Sequence, residues 1–145
     1  MKVEDIVRVK GAGVSTLPAD ESIAVAAKRM MEQRIGAVVV CDEDGRPRGV
    51  LSERDIVHGL ASHGREVLGM PIRALMRAEI ITTCNPLDSL LKLMALMTDR
   101  RMRHVPVTDG DGRLCGIVSI GDAVKARMEE IEAETSALRD YISMS

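Results

Sequence analysis

The stretch GVLSERD at residues 49–55 occurs a second time as GIVSIGD at residues 116–122. Both copies order a glycine, two apolar residues, a serine, two variable residues and an aspartate in the same way. One interpretation is structural: Ser-x-x-Asp caps a helix, although Glu or Gln is the usual last residue. The other interpretation is a ligand site. The glycine lets the backbone be approached closely, and a helix N-terminus is a ready phosphate site.

The two copies belong to an internal repeat. When the chain is shifted by 67 positions, residues 14–57 align with residues 81–124 without a gap, and 14 of the 44 pairs are identical. Because average composition gives only about three identities, the pattern indicates a tandem duplication. The identical pairs are Thr16/Thr83, Ser22/Ser89, Met30/Met97, Arg34/Arg101, Val38/Val105, Val40/Val107, Asp42/Asp109, Asp44/Asp111, Gly45/Gly112, Arg46/Arg113, Gly49/Gly116, Ser52/Ser119, Asp55/Asp122 and Val57/Val124.

Each copy predicts the element order β-α-β-β-α. Apolar residues recur at helical spacing in the first half of each copy, and strand-like runs follow at residues 37–41 and 104–108. We expect Asp20 to cap the first helix, and Asn85 followed by Pro86 to begin the second. A turn on Asp-Gly then reverses the chain into a second strand, which leads into the helix at Ser-x-x-Asp.

The size of the repeats predicts how they pack. A unit of about 60 residues buries only about 60% of its unfolded surface, which makes it marginal alone. We therefore expect an α+β fold with α/β-type layers, in which two units pack sheet to sheet, share a core and leave a cleft with pseudo-twofold symmetry. Residues 1–69 are assigned to the first repeat with its N-terminal segment and connection, and residues 70–128 to the second repeat.

Residues 129–145 are expected to form a C-terminal helical extension. This extension continues the last helix of the second repeat. From residue 124 to residue 142, the apolar residues and one threonine that form a seam along the helix are spaced 4, 3, 4, 3 and 4, which is the spacing of a heptad repeat. Such a helix either lies back on its own domain or joins a second copy of the chain, and the pattern leaves both open. The seam consists of Val124, Met128, Ile131, Thr135, Leu138 and Ile142.

Composition narrows the function classes. Twenty basic and 22 acidic side chains give a net charge of -2, and aromatic residues make up 1% of the chain. With no basic stripe and no stacking residues, we expect no nucleic-acid partner. The charged first residues and the short apolar runs predict a cytoplasmic protein with no membrane partner. The three cysteines lack metal-ligand spacing and are expected to be free thiols packed as small apolar residues.

The hairpin, the motif and their repetition together resemble the cystathionine-β-synthase-type domain pair, the CBS pair or Bateman module. The stretches IGAVVVCDEDGRPRGVLSERDIV and MRHVPVTDGDGRLCGIVSIGDAV carry this resemblance, which extends over roughly residues 1–128. It implies tandem β-α-β-β-α repeats of a stand-alone bacterial type, with the C-terminal helix added.

The resemblance also implies two nucleotide sites in the cleft, each built from both repeats. The aspartate would accept hydrogen bonds from both ribose hydroxyls, and arginine would bind phosphate through its planar fork. The first site would combine Ser52, Arg54 and Asp55 with Arg103, His104 and the backbone around Ile80. The second site would combine Ser119 and Asp122 with Gly36, Ala37 and the backbone near Gly13.

The expected function is regulatory and not enzymatic. The module would sense AMP, ADP, ATP or NAD without a required cofactor or metal, and as a homodimer it would pass a conformational signal to a regulated protein. No nucleophile elbow, P-loop or metal-ligand spacing favours catalysis. Because Gly121 replaces Arg54 and Gly36-Ala37 replace Arg103-His104, the second site is expected to be weaker or to take a less charged ligand. The alternative is a dimeric scaffold that binds no ligand.

Overall fold

The computed structural model describes residues 1–11, 13–77 and 82–144. The predicted element order is confirmed in the first repeat. In the second, the predicted first strand lies partly outside the described residues, and Cys84 forms a parallel bridge with Val107 before α4. The elements are α1 (Val3–Lys10), β1 (Thr16–Leu17), α2 (Ile23–Gln33), β2 (Ala37–Cys41), β3 (Pro47–Ser52), α3 (Glu53–His63), the 3-10 turns Gly64–Gly69 and Ile72–Ala74, α4 (Leu90–Arg100), β4 (His104–Thr108), β5 (Leu114–Ser119) and α5 (Ile120–Met144).

The two hairpins have equivalent registers. Strand β1 pairs parallel with β2, and β2 pairs antiparallel with β3, while β4 and β5 form a matching antiparallel pair. Ala37 lies opposite Ser52, and His104 lies opposite Ser119. Gly45 and Gly112 adopt φ values of 80° and 79°, which the tight turns require. The register places both Ser-x-x-Asp motifs at the same end of their hairpins.

The two predicted helix caps are wrong by a few residues. Ser22 and Ser89 are the N-caps of α2 and α4, and each hydroxyl accepts a hydrogen bond from the backbone N–H three residues later. Asp20 instead pairs with Arg73, and Asn85 caps a turn before the helix. The preceding residues form turns that delay each helix. Ser22/Ser89 is one of the identical pairs, so the duplication already contained this signal.

Helix α1 was not predicted, because it has only eight residues and half of them are charged. It carries only a narrow apolar face, in which Val3 and Ile6 are buried. Both residues pack in the core of the second repeat, although they precede the first repeat in sequence. Helix α1 therefore crosses to the other half of the molecule.

The expectation of one shared core is wrong, because most buried apolar side chains of the described residues fall into two separate clusters. The first repeat is completed by Val67 and Ile72 from the segment after α3, and the second is completed by α1. Each hairpin is therefore covered by a different segment of the chain. The repeats also contact each other directly, since Leu114 N–H donates to the Gly45 carbonyl at 3.0 Å. The division of the chain at residues 69 and 128 stays a prediction.

Helix α5 is continuous for 25 residues and does not lie back on its own domain. Every residue from 131 to 144 is exposed. The structure therefore leaves the heptad seam open to solvent, including Ile131, Leu138 and Ile142.

Within the described ranges, no helix combines the length and the apolar character needed to cross a bilayer.

Candidate functional site

Both Ser-x-x-Asp motifs are helix caps. Ser52 Oγ accepts from Asp55 N–H at 3.2 Å, and Asp55 Oδ2 accepts from Ser52 N–H at 2.9 Å. Ser119 and Asp122 repeat this exchange at 3.1 and 2.8 Å. In the first motif the cap uses Oδ2, whereas Oδ1 lies 3.6 Å from Arg77 Nε. Capping therefore leaves one oxygen of Asp55 for a second role, and the two interpretations do not exclude each other.

The glycine of each motif is approached closely, but by the chain itself. A Cβ at Gly49 would lie 2.9 Å from the carbonyl oxygen of Arg77, and one at Gly116 would lie 2.9 Å from Val7 Cγ2. In each case the approaching segment precedes the opposite repeat. The glycines thus serve the packing of the two halves around the motifs.

A cavity of about 340 Å³, here called the first cleft, opens between the repeats beside Asp55. The structure brings together five of the six residues predicted for the first site, and Ile80 lies outside the described residues. The described lining is Gly36, Val50, Ser52, Glu53, Arg54, Asp55, Arg77, Thr82, Arg100, Arg101, Met102, Arg103 and His104.

A second cavity of about 480 Å³, the second cleft, lies beside Asp122. All five residues predicted for the second site line it. The described lining is Val7, Lys10, Gly11, Gly13, Val14, Ser15, Gln33, Arg34, Ile35, Gly36, Ala37, Glu53, His104, Gly116, Ile117, Ser119 and Asp122. Ligand binding by these residues stays a prediction in both clefts.

The two clefts are built from equivalent positions. Ten lining residues of the second cleft become lining residues of the first when 67 is added to or subtracted from their number. Sequence reasoning missed six of these ten pairs, since it followed only the motifs and the family resemblance. The equivalent pairs are Lys10/Arg77, Ser15/Thr82, Gln33/Arg100, Arg34/Arg101, Ile35/Met102, Gly36/Arg103, Ala37/His104, Ile117/Val50, Ser119/Ser52 and Asp122/Asp55.

Arg34 and Arg101 are the missed pair with the clearest signal. They are identical in the two repeats, and both adopt left-handed backbone conformations, with φ of 54° and 52°. These conformations end α2 and α4 and cost a non-glycine residue roughly 1–2 kcal/mol. Glycine is the usual residue at such a cap. The presence of arginine in both copies favours a role for the side chains that line the clefts.

Charge distinguishes the clefts. Among the described lining residues, the first cleft has five arginines against Glu53 and Asp55. The second has Lys10 and Arg34 against Glu53 and Asp122. Positive charge therefore exceeds negative charge by three in the first cleft, and the two balance in the second.

His104 and Glu53 line both clefts and form the wall between them. A Cβ at Gly36 would lie 3.0 Å from Glu53 Oε1 and 3.4 Å from His104 Nε2, so this wall is tightly packed. Burial lowers the pKa of His104, and the nearby Lys10 ammonium lowers it further, against the opposing effect of Glu53. The imidazole is therefore neutral at pH 7.

The described residues include no group of three or more His, Cys, Asp or Glu side chains placed to hold a metal ion.

The cysteines only partly match the expectation of buried thiols. Cys84 is buried, and burial raises its pKa to about 12. Cys41 is half-buried and Cys115 is exposed. Cys115 lies on the open face of β5, which the sequence alternation did not reveal.

The family model of the CBS domain matches the chain twice, over residues 3–62 and 72–129. A mitochondrial CBS domain-containing protein of Arabidopsis thaliana is 32% identical over 147 residues, which cover 97% of this chain and 71% of the relative.

Solved structures agree with this match. A CBS-domain containing protein from Agrobacterium tumefaciens is 42% identical, with a TM-score of 0.81 over 88% of this chain and 99% of that chain. A CBS domain protein from Pyrobaculum aerophilum complexed with AMP is 27% identical, with a TM-score of 0.75 over 84% of this chain and 89% of that chain. The duplicated hairpins with their capped helices thus form a pair of CBS repeats, and the chain belongs to the CBS domain family.

Proposed function

We propose that this CBS pair is a non-catalytic regulatory module that binds an adenine nucleotide in the first cleft. The observation that carries the proposal is the position of Asp55 in a cavity lined by five arginines. Asp55 Oδ1, which the cap does not use, would accept hydrogen bonds from the ribose hydroxyls. The guanidinium groups would bind the phosphates through paired hydrogen bonds.

Cavity size and a relative support the same ligand class. A volume of about 340 Å³ falls at the lower end of the range of small-molecule sites. The Pyrobaculum aerophilum protein, which shares this fold, is complexed with AMP. AMP, ADP, ATP and NAD all carry the ribose and phosphate groups that the first cleft is suited to bind. S-adenosylmethionine carries a positive sulfonium and no phosphate, so the arginines disfavour it.

The cleft also provides a route for a signal. A nucleotide in the first cleft would contact Asp55 on one repeat and Arg103 on the other, so it would favour one arrangement of the repeats over another. A regulated protein would respond to that arrangement. An energy-sensing role, an unidentified regulated protein and a cytoplasmic location are parts of this proposal.

A nucleotide panel tests the proposal. Thermal shift and calorimetry are measured with AMP, ADP, ATP, NAD and S-adenosylmethionine on the wild type, Asp55→Asn and Asp88→Asn. Asp88 is the matched control because its carboxylate also caps a backbone N–H, that of Asn85, but lies outside both clefts. A ligand at 100 times its dissociation constant stabilises by about 2.7 kcal/mol. A stabilisation that Asp55→Asn reduces and Asp88→Asn does not supports the proposal, whereas no shift with any nucleotide favours the ligand-free scaffold.

We further propose that two copies associate through their repeats, with α5 contributing. The exposed apolar residues of α3 and α5 include the equivalent pair Val57 and Val124, which are 62% and 47% exposed. Val124 belongs to the heptad seam, whose other residues follow it along α5. A second copy is the occupant that suits a seam with coiled-coil spacing.

The charges beside the seam favour a parallel pair of α5 helices. If Ile131 and Leu138 occupy d positions, Arg127 and Glu134 occupy g positions. In a parallel coiled coil each g residue faces the e residue five positions later in the partner. Arg127 would therefore face Glu132 of the second copy, and Glu134 would face Arg139. Both pairs are of opposite charge.

Sedimentation velocity tests the assembly. We expect the wild type to be a dimer at tens of micromolar, because association follows mass action. Leu138→Glu places a charge in the seam and should weaken the dimer at least about tenfold, since that corresponds to only about 1.4 kcal/mol. Ala133→Glu, on the outer face of α5, is the matched control. A monomeric wild type would overturn the dimer, and equal behaviour of the two variants would remove α5 from the interface.

A further inference from the structure

Lys10, the last residue of α1, forms an ion pair with Asp122 in the second cleft. Its Nζ donates to Asp122 Oδ2 at 2.7 Å and to the carbonyl oxygen of Ile117 at 2.9 Å. The two side chains are 38% and 24% exposed, so solvent only partly competes with the contact. The Ser119 N–H donates to the same Oδ2, so the ammonium lies on the capping oxygen of Asp122 and neutralises the carboxylate whose Oδ1 a ribose would use.

The first cleft has the equivalent pair in a looser geometry. Arg77 and Asp55 correspond to Lys10 and Asp122 by the shift of 67. Arg77 Nε lies 3.6 Å from Asp55 Oδ1, which is longer than a hydrogen bond, and the arginine side chain is 75% exposed. A pair of this kind contributes little and is easily displaced. The same positions therefore hold one aspartate tightly and the other loosely.

The state of Asp122 agrees with the tight contact. Burial raises the pKa of Asp122, but the hydrogen bonds from Lys10 and from Ser119 lower it by more, so that it lies below its ordinary value. While Lys10 stabilises this charge, Asp122 is a weaker acceptor for ribose hydroxyls than Asp55, and the ammonium beside it adds a positive side chain at the same position of the cleft.

We propose that Lys10 is an internal occupant of the second cleft, which fills only after the Lys10–Asp122 contact opens. This inference rests on the nucleotide binding proposed above for the first cleft. Nucleotide would therefore enter the first cleft first, although the two clefts share equivalent positions. If the contact is formed in about 90% of molecules, the apparent affinity of the second cleft is reduced about tenfold.

Opening of the contact would also affect α1. Val7 packs against Gly116 of β5 within the second cleft, and Lys10 is the last residue of the same helix. A nucleotide in the second cleft would thus remove one of the tethers that hold the end of α1 on the second repeat. Binding at the two clefts would then have different consequences for the fold.

Calorimetric titration with AMP tests this inference on the wild type, Lys10→Met and Lys92→Met. Methionine keeps much of the lysine stem without its charge. Lys92→Met is the matched control, since Lys92 pairs with Asp88 at 3.0 Å outside both clefts. We expect one strong AMP site in the wild type, which Asp55→Asn weakens. Lys10→Met should add a second site per chain or strengthen it about tenfold or more, and Lys92→Met should change neither site.

The outcomes separate this inference from the proposed function. A first site that Asp55→Asn weakens, together with a second site that Lys10→Met leaves unchanged or weakens, would overturn the internal occupant and keep the proposed function. No AMP binding by the wild type or by Lys10→Met would overturn both. If Lys10→Met lowers stability, Lys10→Gln keeps a donor for the Ile117 carbonyl, and it should strengthen the second site in the same direction.

Discussion

The first and second clefts are two versions of one site, and they differ in volume and in charge. Equivalent positions supply Asp55 to one and Asp122 to the other, each within a capped helix start. The described residues of the first cleft leave three positive charges in excess, whereas in the second Lys10 neutralises the aspartate directly. Duplication therefore preserved the backbone of the site, while substitution of a few lining residues gave the two copies different charges.

The largest effect is expected from the aspartates. Asp55→Asn keeps a capping oxygen but replaces a carboxylate with an amide that has one acceptor oxygen. Nucleotide affinity at the first cleft should fall by roughly 1.5–3 kcal/mol, which is about ten- to a hundredfold. Asp122→Asn should lower total binding less, because Lys10 already holds that carboxylate. Calorimetry on both variants checks this.

Melting curves of the ligand-free proteins provide the control for this pair. Since both aspartates cap helices, each substitution should destabilise the fold by no more than about 1 kcal/mol. Unchanged binding together with a larger loss of stability would show that the repeated motif is a cap and nothing more.

Substitution of the two motif glycines, Gly49 and Gly116, should lower the free energy of unfolding by different amounts. A Cβ at Gly49 would meet the backbone carbonyl of Arg77, whereas one at Gly116 would meet the side chain of Val7. Gly49→Ala should cost about 1–3 kcal/mol, as overpacking does. Gly116→Ala should cost less, because α1 can shift. Urea unfolding of both variants measures the difference, and a larger loss at Gly116 would contradict the prediction.

Substitution of Arg34 and Arg101, which end α2 and α4, should change AMP affinity without a large change in the free energy of unfolding. Arg101→Gly removes a guanidinium from the first cleft and relieves a left-handed conformation. The free energy of unfolding should therefore change by less than about 1 kcal/mol, since glycine loses more entropy on folding while avoiding strain. AMP affinity should fall about fivefold to tenfold, as for loss of a hydrogen bond that contributes about 1–1.4 kcal/mol, because four other arginines remain in the described lining. Arg34→Gly is the counterpart in the second cleft, and an equal loss of AMP affinity in both would contradict the proposed difference.

The smallest expected effect concerns pH. Burial holds the pKa of His104 below its ordinary value of 6.5, so the unfolded chain binds a proton more readily than the folded one. Stability is unaffected above pH 7 and falls as the pH is lowered through 6.5 towards the folded pKa. His104→Ala introduces the residue found at the equivalent position of the first repeat, Ala37, and should flatten this dependence between pH 7 and 5. Urea titrations at several pH values measure it, and an unchanged slope would assign the effect to other groups.

Local sequence patterns were sufficient to predict many of the strands and turns of this molecule. The strands at residues 37–41 and 104–108 follow from short apolar runs, and their turns follow from Asp-Gly at positions that need positive φ. The shift of 67 made each inference available in two copies. Even the missed caps, Ser22 and Ser89, were among the identical pairs.

Other features depend on contacts between distant parts of the chain. Val3, Ile6 and Val7 before the first repeat do follow helical spacing, but they do not say which repeat they cover, and only packing on the second repeat explains the position of α1. The separation into two cores follows from the same crossing, because α1 and the segment around Ile72 each cover one hairpin. No periodicity within a single segment contains this information.

The sequence by itself determined the duplication, the order of elements and the two capped motifs, because these depend on neighbouring residues and on local backbone preferences. Only the tertiary structure decided which charges meet across the clefts. Lys10 and Asp122 are 112 positions apart and come together because α1 docks against β5. The pairing of opposite charges depends on distances of a few ångströms between separate elements, and those distances are set by packing.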